Sequence, residues 1–216
     1  MSEDIFDEIR EMNRRSWLYE TKRAALHDTA LLRWTFENND GRNPVMAKAR
    51  QYVEHWPEAR EKALGLLLWG DVGTGKSYFA ACIANALLEK GASVIMTNFS
   101  RVLGTLGAFY SADRNKYLDE LAACDLLIID DFGMERGTEY SLEQIFSVVD
   151  ARVRSARPLI VTTNLALRDL KAPKDLTHQR IYDRILGACA PICFSGESRR
   201  KDEGAANLEL AKKLLA

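Results

Sequence analysis

Residues 70–77 place three glycines, a lysine and a hydroxyl side chain at fixed intervals, in the order Gly-Asp-Val-Gly-Thr-Gly-Lys-Ser. This spacing fits the pattern G-x-x-x-x-G-K-[ST], in which glycines let successive backbone N–H groups surround a triphosphate. The lysine then reaches the β- and γ-phosphates, and the serine hydroxyl binds Mg²⁺. The residues that we therefore predict to bind ATP are Gly70, Asp71, Val72, Gly73, Thr74, Gly75, Lys76, Ser77 and Tyr78. The alternative is a glycine-rich turn without a ligand.

Two adjacent carboxylates form a second candidate group, because Asp130 and Asp131 follow the apolar run at 126–129. In a fold with a phosphate-binding loop, an acid at the end of an apolar strand completes the Mg²⁺ site, usually through water. We predict Ser77 and Asp130 as the metal-binding residues. We predict Asp131 as the carboxylate that polarises the attacking water. The alternative is a polar strand end that caps the next loop.

Asn164 directly follows another predicted strand, at 159–163. An amide at the tip of the strand beside the acidic pair can hold the attacking water against the γ-phosphate. Asparagine is also a common turn residue. The predicted catalytic role therefore depends on the position of Asn164 rather than on its type.

Three arginines towards the C-terminus are candidates for neutralising charge in a transition state. Arg180 and Arg184 are four residues apart and therefore lie on one face of a predicted helix. We predict Arg184, and after it Arg180, as an arginine finger, a role that accelerates phosphoryl transfer by about 10³–10⁵-fold. A structural ion pair with Asp183 or a neighbouring acid is the alternative. Arg200 is predicted to contact the γ-phosphate within its own chain, with a solvated basic turn as the alternative.

Apolar runs and helical patterns alternate along the chain from residue 64 onward. The predicted strands are 64–69, 93–97, 125–130, 158–163 and 191–194. The predicted helices are 77–90, 99–110, 115–122, 140–154, 176–186 and 202–215. Short apolar strands separated by helices are typical of a parallel sheet that is covered on both faces. We therefore predict an α/β P-loop NTPase with a five-stranded parallel sheet, helices on both faces and a helical N-terminal segment.

The segment before the first strand divides at a turn. Residues 3 to about 34 space apolar side chains among many charges, which predicts a helix with a break near Ser16. Turn-forming residues are dense at 38–44, and a short helix at 45–55 is predicted to end at Pro57. We accordingly predict a helical N-terminal extension or linker at 1–40 and an ATP-binding domain at 41–216.

The composition limits the classes of protein. The 216 residues include 47% hydrophobic and 28% charged side chains, and the apolar runs are shorter than the about 20 residues of a membrane span. The acidic start, Met-Ser-Glu-Asp, differs from a secretory signal, so we expect a cytoplasmic protein. Four cysteines without a C-x-x-C pair favour buried reduced thiols. A net charge of −1 means that nucleic-acid binding requires a local basic surface.

Several motifs taken together resemble those of a known family. They are TFENND at 35–40, GDVGTGKS at 70–77, LLIIDDFG at 126–133, VTTN at 161–164, QRIYDRI at 179–185 and FSGESRR at 194–200. This set is similar to the AAA+ domain of the DnaC/DnaI-type bacterial helicase loaders and of the related IstB-type transposition helper ATPases. The similarity covers about residues 34–200.

The resemblance implies an AAA+ (ASCE) fold and a role for each matched position. By this resemblance, Lys76, Ser77 and Asp130 bind nucleotide and magnesium, and Asp131 and Asn164 take part in catalysis. Arg184 would be an arginine finger that acts in trans, and Arg200 would be the second sensor. The resemblance also implies a homo-oligomer, a replicative DNA helicase as partner and binding of single-stranded DNA.

The positions that would contact single-stranded DNA match the family more weakly. Aromatic candidates for stacking on bases are Phe109, Tyr110 and Tyr140, and basic candidates for phosphate contacts are Arg101, Arg114 and Arg136. For Phe109, core packing is the more expected role.

We therefore expect an ATPase that works as an oligomer on single-stranded DNA and loads or remodels a replicative helicase. An IstB-type transposition helper is one alternative, in which the client is a transposase. A nucleotide-dependent binding module with negligible turnover is another. Stimulation of hydrolysis by single-stranded DNA distinguishes the ATPases from the binding module.

Overall fold

A computed structural model describes residues 2–134, 137–173, 175–198 and 200–215. Within these ranges, the description excludes the side chains of residues 2–5, 111, 200–203 and 205–207. A search of the described residues finds no helix that combines the length and the apolar character needed to cross a bilayer.

The centre of the fold is a sheet of five parallel strands. They are β1 (Gly65–Gly70), β2 (Val94–Thr97), β3 (Leu126–Phe132), β4 (Leu159–Thr163) and β5 (Cys189–Phe194). Their order across the sheet is β2-β3-β4-β1-β5, and every neighbouring pair is parallel. The predicted five-stranded parallel sheet is confirmed.

Helices surround this sheet and precede it. They are α1 (Ser2–Leu26), α2 (Met46–Glu54), α3 (Trp56–Glu61), α4 (Lys76–Glu89), α5 (Phe99–Ala108), α6 (Ser111–Ala123), α7 (Glu139–Arg154), α8 (Leu167–Lys171), α9 (Leu176–Ala188) and α10 (Arg200–Leu215). A short 3₁₀ helix follows α1 at Thr29–Arg33.

The strands divide their side chains between two hydrophobic layers. Leu66 and Leu68 of β1 point into the layer that contains α4 and α2, whereas Leu67 points into the layer that contains α5, α7 and α9. Alternation of this kind follows from the two-residue period of a strand, and burial on both faces explains the continuous apolar runs. Because the strands are parallel, the loops after β1, β3 and β4 meet at the edge of the sheet that is formed by the carboxyl ends of the strands.

The N-terminal segment packs on the helical layer around α4. Leu26 and Phe36 are buried in that layer, and the Asn85 side-chain amide of α4 donates to the backbone oxygens of Leu31 and Trp34, at 2.9 and 3.1 Å. The predicted break near Ser16 is wrong, because α1 continues from Ser2 to Leu26. The predicted domain boundary at residue 40 stays a prediction.

Three further expectations need correction. Pro57 does not end a helix but occupies the first turn of α3, where its missing N–H costs no helical hydrogen bond. The short helix α8 lacks a counterpart in the sequence analysis. Cys82, Cys124 and Cys189 are buried as expected, but Cys193 is exposed because β5 is an edge strand.

Candidate nucleotide site

The phosphate-loop sequence at 70–77 connects β1 directly to α4. Gly75 adopts the left-handed conformation (φ 97°) at the N-cap of α4, and Gly73 has a φ of 79°. A Cβ atom on Gly73 would overlap the Ser198 side chain. Glycine is therefore required at position 73 both by the backbone conformation and by the close approach of Ser198.

Lys76 is directed into this loop. Its side chain is almost fully buried, with 6% exposure, and its Nζ atom donates to the backbone oxygens of Gly70 and Asp71 at 2.9 and 2.6 Å. Thr74 Oγ1 closes the same turn by donating to the Asp71 oxygen at 2.8 Å. The loop thus surrounds the ammonium group, and its backbone oxygens accept the hydrogen bonds that a buried positive charge requires.

Asp130 lies at the carboxyl end of β3, beside the phosphate loop. Burial raises the pKa of its carboxyl group, while hydrogen bonds from Thr162 and Ser77 and the charge of Lys76 act in the opposite direction. The Thr162 hydroxyl donates to Asp130 Oδ1 at 2.6 Å. A buried carboxylate next to a serine hydroxyl is a suitable ligand set for a hard cation such as Mg²⁺.

Asp131 has an unusual backbone conformation. The pairing of β3 with β4 is irregular between Ile129 and Phe132, and Asp131 within this irregularity has a φ of 59°. Its backbone N–H donates to Thr162 Oγ1 at 2.9 Å, and its carboxylate accepts from Asn164 Nδ2 at 3.1 Å. The β-bulge therefore directs this exposed carboxylate towards Asn164.

Thr162 is a residue of the site that sequence reasoning missed. Its hydroxyl contacts both acidic residues of the pair, whereas the sequence analysis assigned a role only to Asn164. The signal was present, because residues two apart on a strand point in the same direction. A predicted role for Asn164 therefore also directs attention to position 162.

Tyr78 was predicted to belong to the nucleotide site, but its side chain turns to the N-terminal segment. The hydroxyl donates to the Thr35 backbone oxygen at 2.9 Å, and the ring lies 5.8 Å from that of Trp34. Asn43 of the same segment reaches the phosphate loop, with 3.5 Å between its Nδ2 and the Thr74 oxygen. Any contact of Tyr78 with phosphate would therefore come from its backbone.

The two arginines of α9 both contact α7 within the same chain. The Arg184 Nε atom lies 3.0 Å from Asp150 Oδ1, and the Arg180 guanidinium lies 4.2 Å from the centre of the Phe146 ring. Among the described residues, Asp150 Oδ1 lacks an aligned hydrogen-bond donor. The contact with Arg184 is therefore a Coulombic one, as in the ion-pair alternative.

The position of Arg184 along α9 separates it from the phosphate loop of its own chain. Helix α9 ends at Ala188, and β5 begins at the next residue. Because β5 runs parallel to β1, the last turn of α9 lies at the edge of the sheet where strands begin. The phosphate loop and Asp131 lie at the opposite edge.

Arg200 begins α10, but its side chain lies outside the described residues. The residues just before it do return to the phosphate loop. The Phe194 backbone oxygen accepts from the Asp71 N–H at 3.1 Å, and Ser198 lies beside Gly73. The predicted contact of Arg200 with the γ-phosphate stays a prediction.

Aromatic side chains are exposed where α5 meets α6 and where α7 begins. Tyr110 is 87% exposed, Tyr140 46% and Phe109 40%. The expectation that Phe109 packs in the core is therefore wrong. Arg114 connects the two places, because its guanidinium donates to the Tyr140 hydroxyl and to the Leu106 backbone oxygen, both at 2.6 Å.

The basic candidates near these aromatic residues have different positions. Arg114 contacts Tyr140 through its guanidinium and the Tyr110 backbone oxygen through its N–H, whereas Arg101 donates to the His27 backbone oxygen at 3.3 Å and so contacts the N-terminal segment. Arg136 lies outside the described residues.

The fold and the site together define the class of protein. A parallel sheet with the order β2-β3-β4-β1-β5, a phosphate loop after β1, an acidic pair on β3 and a polar residue after β4 is the arrangement of an AAA+ P-loop NTPase. The crystal structure of DnaI has the same fold, with a TM-score of 0.64 at 24% identity, and the match covers 80% of this chain and 93% of that one. The crystal structure of the DnaC helicase loader matches with a TM-score of 0.66 at 19% identity, over 78% of this chain and 100% of that one.

Sequence comparison identifies the family within this class. The sequence model for IstB-like ATP binding proteins matches residues 14–206, which extends the predicted range of about 34–200 at both ends. The replicative helicase loader DnaC of Escherichia coli (strain K12) is 30% identical over 174 residues, which cover 77% of this chain and 69% of that protein. The chain therefore belongs to the IstB-like ATP binding proteins and is a homologue of DnaC.

Proposed function

We propose that this protein binds ATP with Mg²⁺, hydrolyses the ATP as a homo-oligomer on single-stranded DNA, and loads or remodels a replicative DNA helicase in the cytoplasm. The observation that carries the proposal is the convergence of Lys76, Asp130, Asp131 and Asn164 at one edge of the sheet. Homology to DnaC, a replicative helicase loader, supports the choice of partner.

Each residue at this edge has a role that its environment supports. Lys76 gives up its contacts with the Gly70 and Asp71 backbone oxygens and binds phosphate oxygens instead. Asp130 and Ser77 hold Mg²⁺, which when bound neutralises charge on the β- and γ-phosphates. Asp131 accepts a proton from the attacking water, and Asn164 orients that water through its amide.

Arg184 acts on the site of a neighbouring subunit. Its distance from the phosphate loop of its own chain and its poorly aligned contact with Asp150 both support this role. A guanidinium placed against the γ-phosphate stabilises charge that develops in the transition state. Arg180, which stacks on Phe146, is the second candidate.

Single-stranded DNA binds the surface formed by Phe109, Tyr110, Arg114 and Tyr140. Stacking of a base on an exposed aromatic ring contributes about 1–3 kcal/mol and tolerates any base. The Arg114 guanidinium beside Tyr140 supplies positive charge for a phosphate.

The test compares the wild type with Lys76→Ala and with Lys90→Ala, which removes a lysine from the other end of α4. Lys90 Nζ donates to the Val53 backbone oxygen and is therefore a matched control. We expect Lys76→Ala to weaken ATP binding by about 100-fold, since the loss of a buried charged partner costs about 2–5 kcal/mol. Lys90→Ala should bind ATP as the wild type does. An unchanged affinity of Lys76→Ala would contradict the proposed site.

The same preparations test the function beyond binding. Wild-type ATP turnover should rise when single-stranded DNA is added, and a replicative helicase should be retained in a pull-down with ATP. Turnover that stays negligible under all conditions would support the binding module instead. Retention of a transposase but not of the helicase would support the transposition helper.

A further inference from the structure

Thr162 joins the two acidic residues of the site through one hydroxyl group. It lies on β4 and is almost fully buried, with 1% exposure. The hydroxyl donates to Asp130 Oδ1 at 2.6 Å and accepts the backbone N–H of Asp131 at 2.9 Å. A hydroxyl has one proton and two lone pairs, so that it can make both hydrogen bonds at once.

The bond to Asp131 fixes a backbone conformation that residues other than glycine rarely adopt. Asp131 has a φ of 59° within the β-bulge, and such a conformation persists only where surrounding contacts hold it. The Thr162 hydroxyl holds the Asp131 N–H, and Asn164 holds the Asp131 carboxylate at 3.1 Å. Two side chains of the same strand end therefore determine where this carboxylate points.

The bond to Asp130 acts on the carboxylate that is predicted to bind Mg²⁺. The Thr162 hydroxyl occupies Oδ1 and so limits rotation of the carboxylate. Thr162 thereby affects the orientation of the predicted Mg²⁺ ligand.

We propose that Thr162 is a positioning residue that aligns Asp130 for metal binding and Asp131 for activation of water. This inference depends on the proposed function for its catalytic part only. The hydrogen bonds on which it is based can also be tested by unfolding, which does not depend on catalysis.

Thr163 provides a matched control for the loss of a buried hydroxyl from the same strand. It is 0% exposed. Its Oγ1 donates to the Phe132 backbone oxygen at 2.7 Å and accepts the Leu165 N–H at 3.1 Å. Replacement of either threonine by valine keeps the side-chain shape, but only Thr162→Val removes a bond to a carboxylate.

The first experiment measures urea unfolding of the protein at one neutral pH as a double-mutant cycle. Thr162→Val should lose less stability in an Asp130→Ala background than in the wild type, because the carboxylate that its hydroxyl contacts is already absent. Thr163→Val should lose the same amount in both backgrounds. A Thr162→Val loss that is equal in both backgrounds would overturn the inference.

The second experiment measures ATP turnover. Thr162→Val should lower kcat by about 10–100-fold, the loss that removal of a charge-assisted hydrogen bond produces, with KM changed by less than about threefold. Thr162→Ser keeps the hydroxyl and should retain the wild-type kcat, so that a serine variant as slow as the valine variant would also overturn the inference.

The two experiments separate this inference from the proposed function. A wild type that does not hydrolyse ATP contradicts the proposed function, whereas the unfolding experiment still decides whether Thr162 is coupled to Asp130. A wild type that hydrolyses ATP, together with a Thr162→Val variant of unchanged kcat, contradicts the positioning role alone.

Discussion

The acidic pair on β3, Asp130 and Asp131, and the arginine Arg184 on α9 differ in how strongly neighbouring residues fix their side chains. Asp130 and Asp131 are fixed by hydrogen bonds from Thr162 and Asn164, within a bulge between two buried strands. Arg184 is half-exposed, and its contact with Asp150 is poorly aligned.

This difference matches what the proposed function requires of each group. A carboxylate that binds a metal or activates water within its own chain gains from a fixed geometry, because little has to be reorganised on binding. An arginine that serves a neighbouring subunit must be able to leave its partner in the isolated chain. Arg184 has that freedom, because its contact with Asp150 is poorly aligned and the same carboxylate also pairs with Arg154.

The largest effect is expected from Arg184→Ala. If the guanidinium completes the site of a neighbouring subunit, kcat should fall by about 10³-fold while ATP affinity is retained. Mixed oligomers of Arg184→Ala and Lys76→Ala chains should regain part of the turnover, since an intact loop can then face an intact arginine. Measuring turnover against the mixing ratio tests this.

The control for Arg184 is Arg154→Ala. Arg154 Nε contacts the other oxygen of Asp150, Oδ2, at 3.0 Å, and its side chain is more exposed than that of Arg184. Loss of the Arg154 side chain should leave kcat within about twofold of the wild-type value, because exposed ion pairs contribute little to stability. Equal losses in both variants, without recovery in mixed oligomers, would mean that Arg184 has only the structural role.

A smaller loss of activity is expected from Asp131→Asn. Asparagine tolerates the left-handed conformation and can keep the backbone of the bulge, but it cannot accept a proton from water. ATP binding should persist and kcat should fall by about 10²-fold, the lower end for general base catalysis. Asp169→Asn, which alters an exposed carboxylate on α8, is the control. Wild-type kcat in Asp131→Asn would remove the proposed base.

The smallest effect concerns stability. Because burial raises the pKa of Asp130 in the folded protein, stability present in acid is lost as pH rises through that pKa. Asp130→Asn avoids this loss and should raise Tm at neutral pH by a few degrees, the shift that about 1 kcal/mol produces in a domain of this size.

The advantage of Asp130→Asn should shrink in acid, where the wild-type carboxyl is protonated. Thermal unfolding across the pH range, without nucleotide, measures the difference. A variant that is equally destabilised at all pH values would show that the carboxylate stabilises the protein without nucleotide.

The sheet was predictable because its central strands are buried on both faces. The runs at 126–129 and 159–161 are continuous in apolar residues, and the glycines of the phosphate loop mark the end of β1. Predictions failed where the local signal was ambiguous. Pro57 is compatible with the end of one helix and with the start of the next, and only packing of Trp56 into the core favours a second helix.

The candidate site was predictable in its residue types but only partly in its contacts. Tyr78 follows the phosphate loop in sequence, but the helix rotates its side chain to Thr35. The pairing of Arg184 with Asp150 depends on how α9 packs against α7, and such a contact between distant segments leaves no local pattern.

The sequence by itself determined the chemistry of the site, since glycine spacing, a lysine, adjacent acids and strand-end residues are local features. The tertiary structure decided which of these groups lie close together and which are kept apart. The bulge in β3 brought Asp131 to Asn164, and the order of the strands put Thr162 between the two acids. Parallel packing of α7 and α9 kept Arg184 at the far edge of the sheet. These relations follow from long-range packing, which a single sequence does not encode as a local signal.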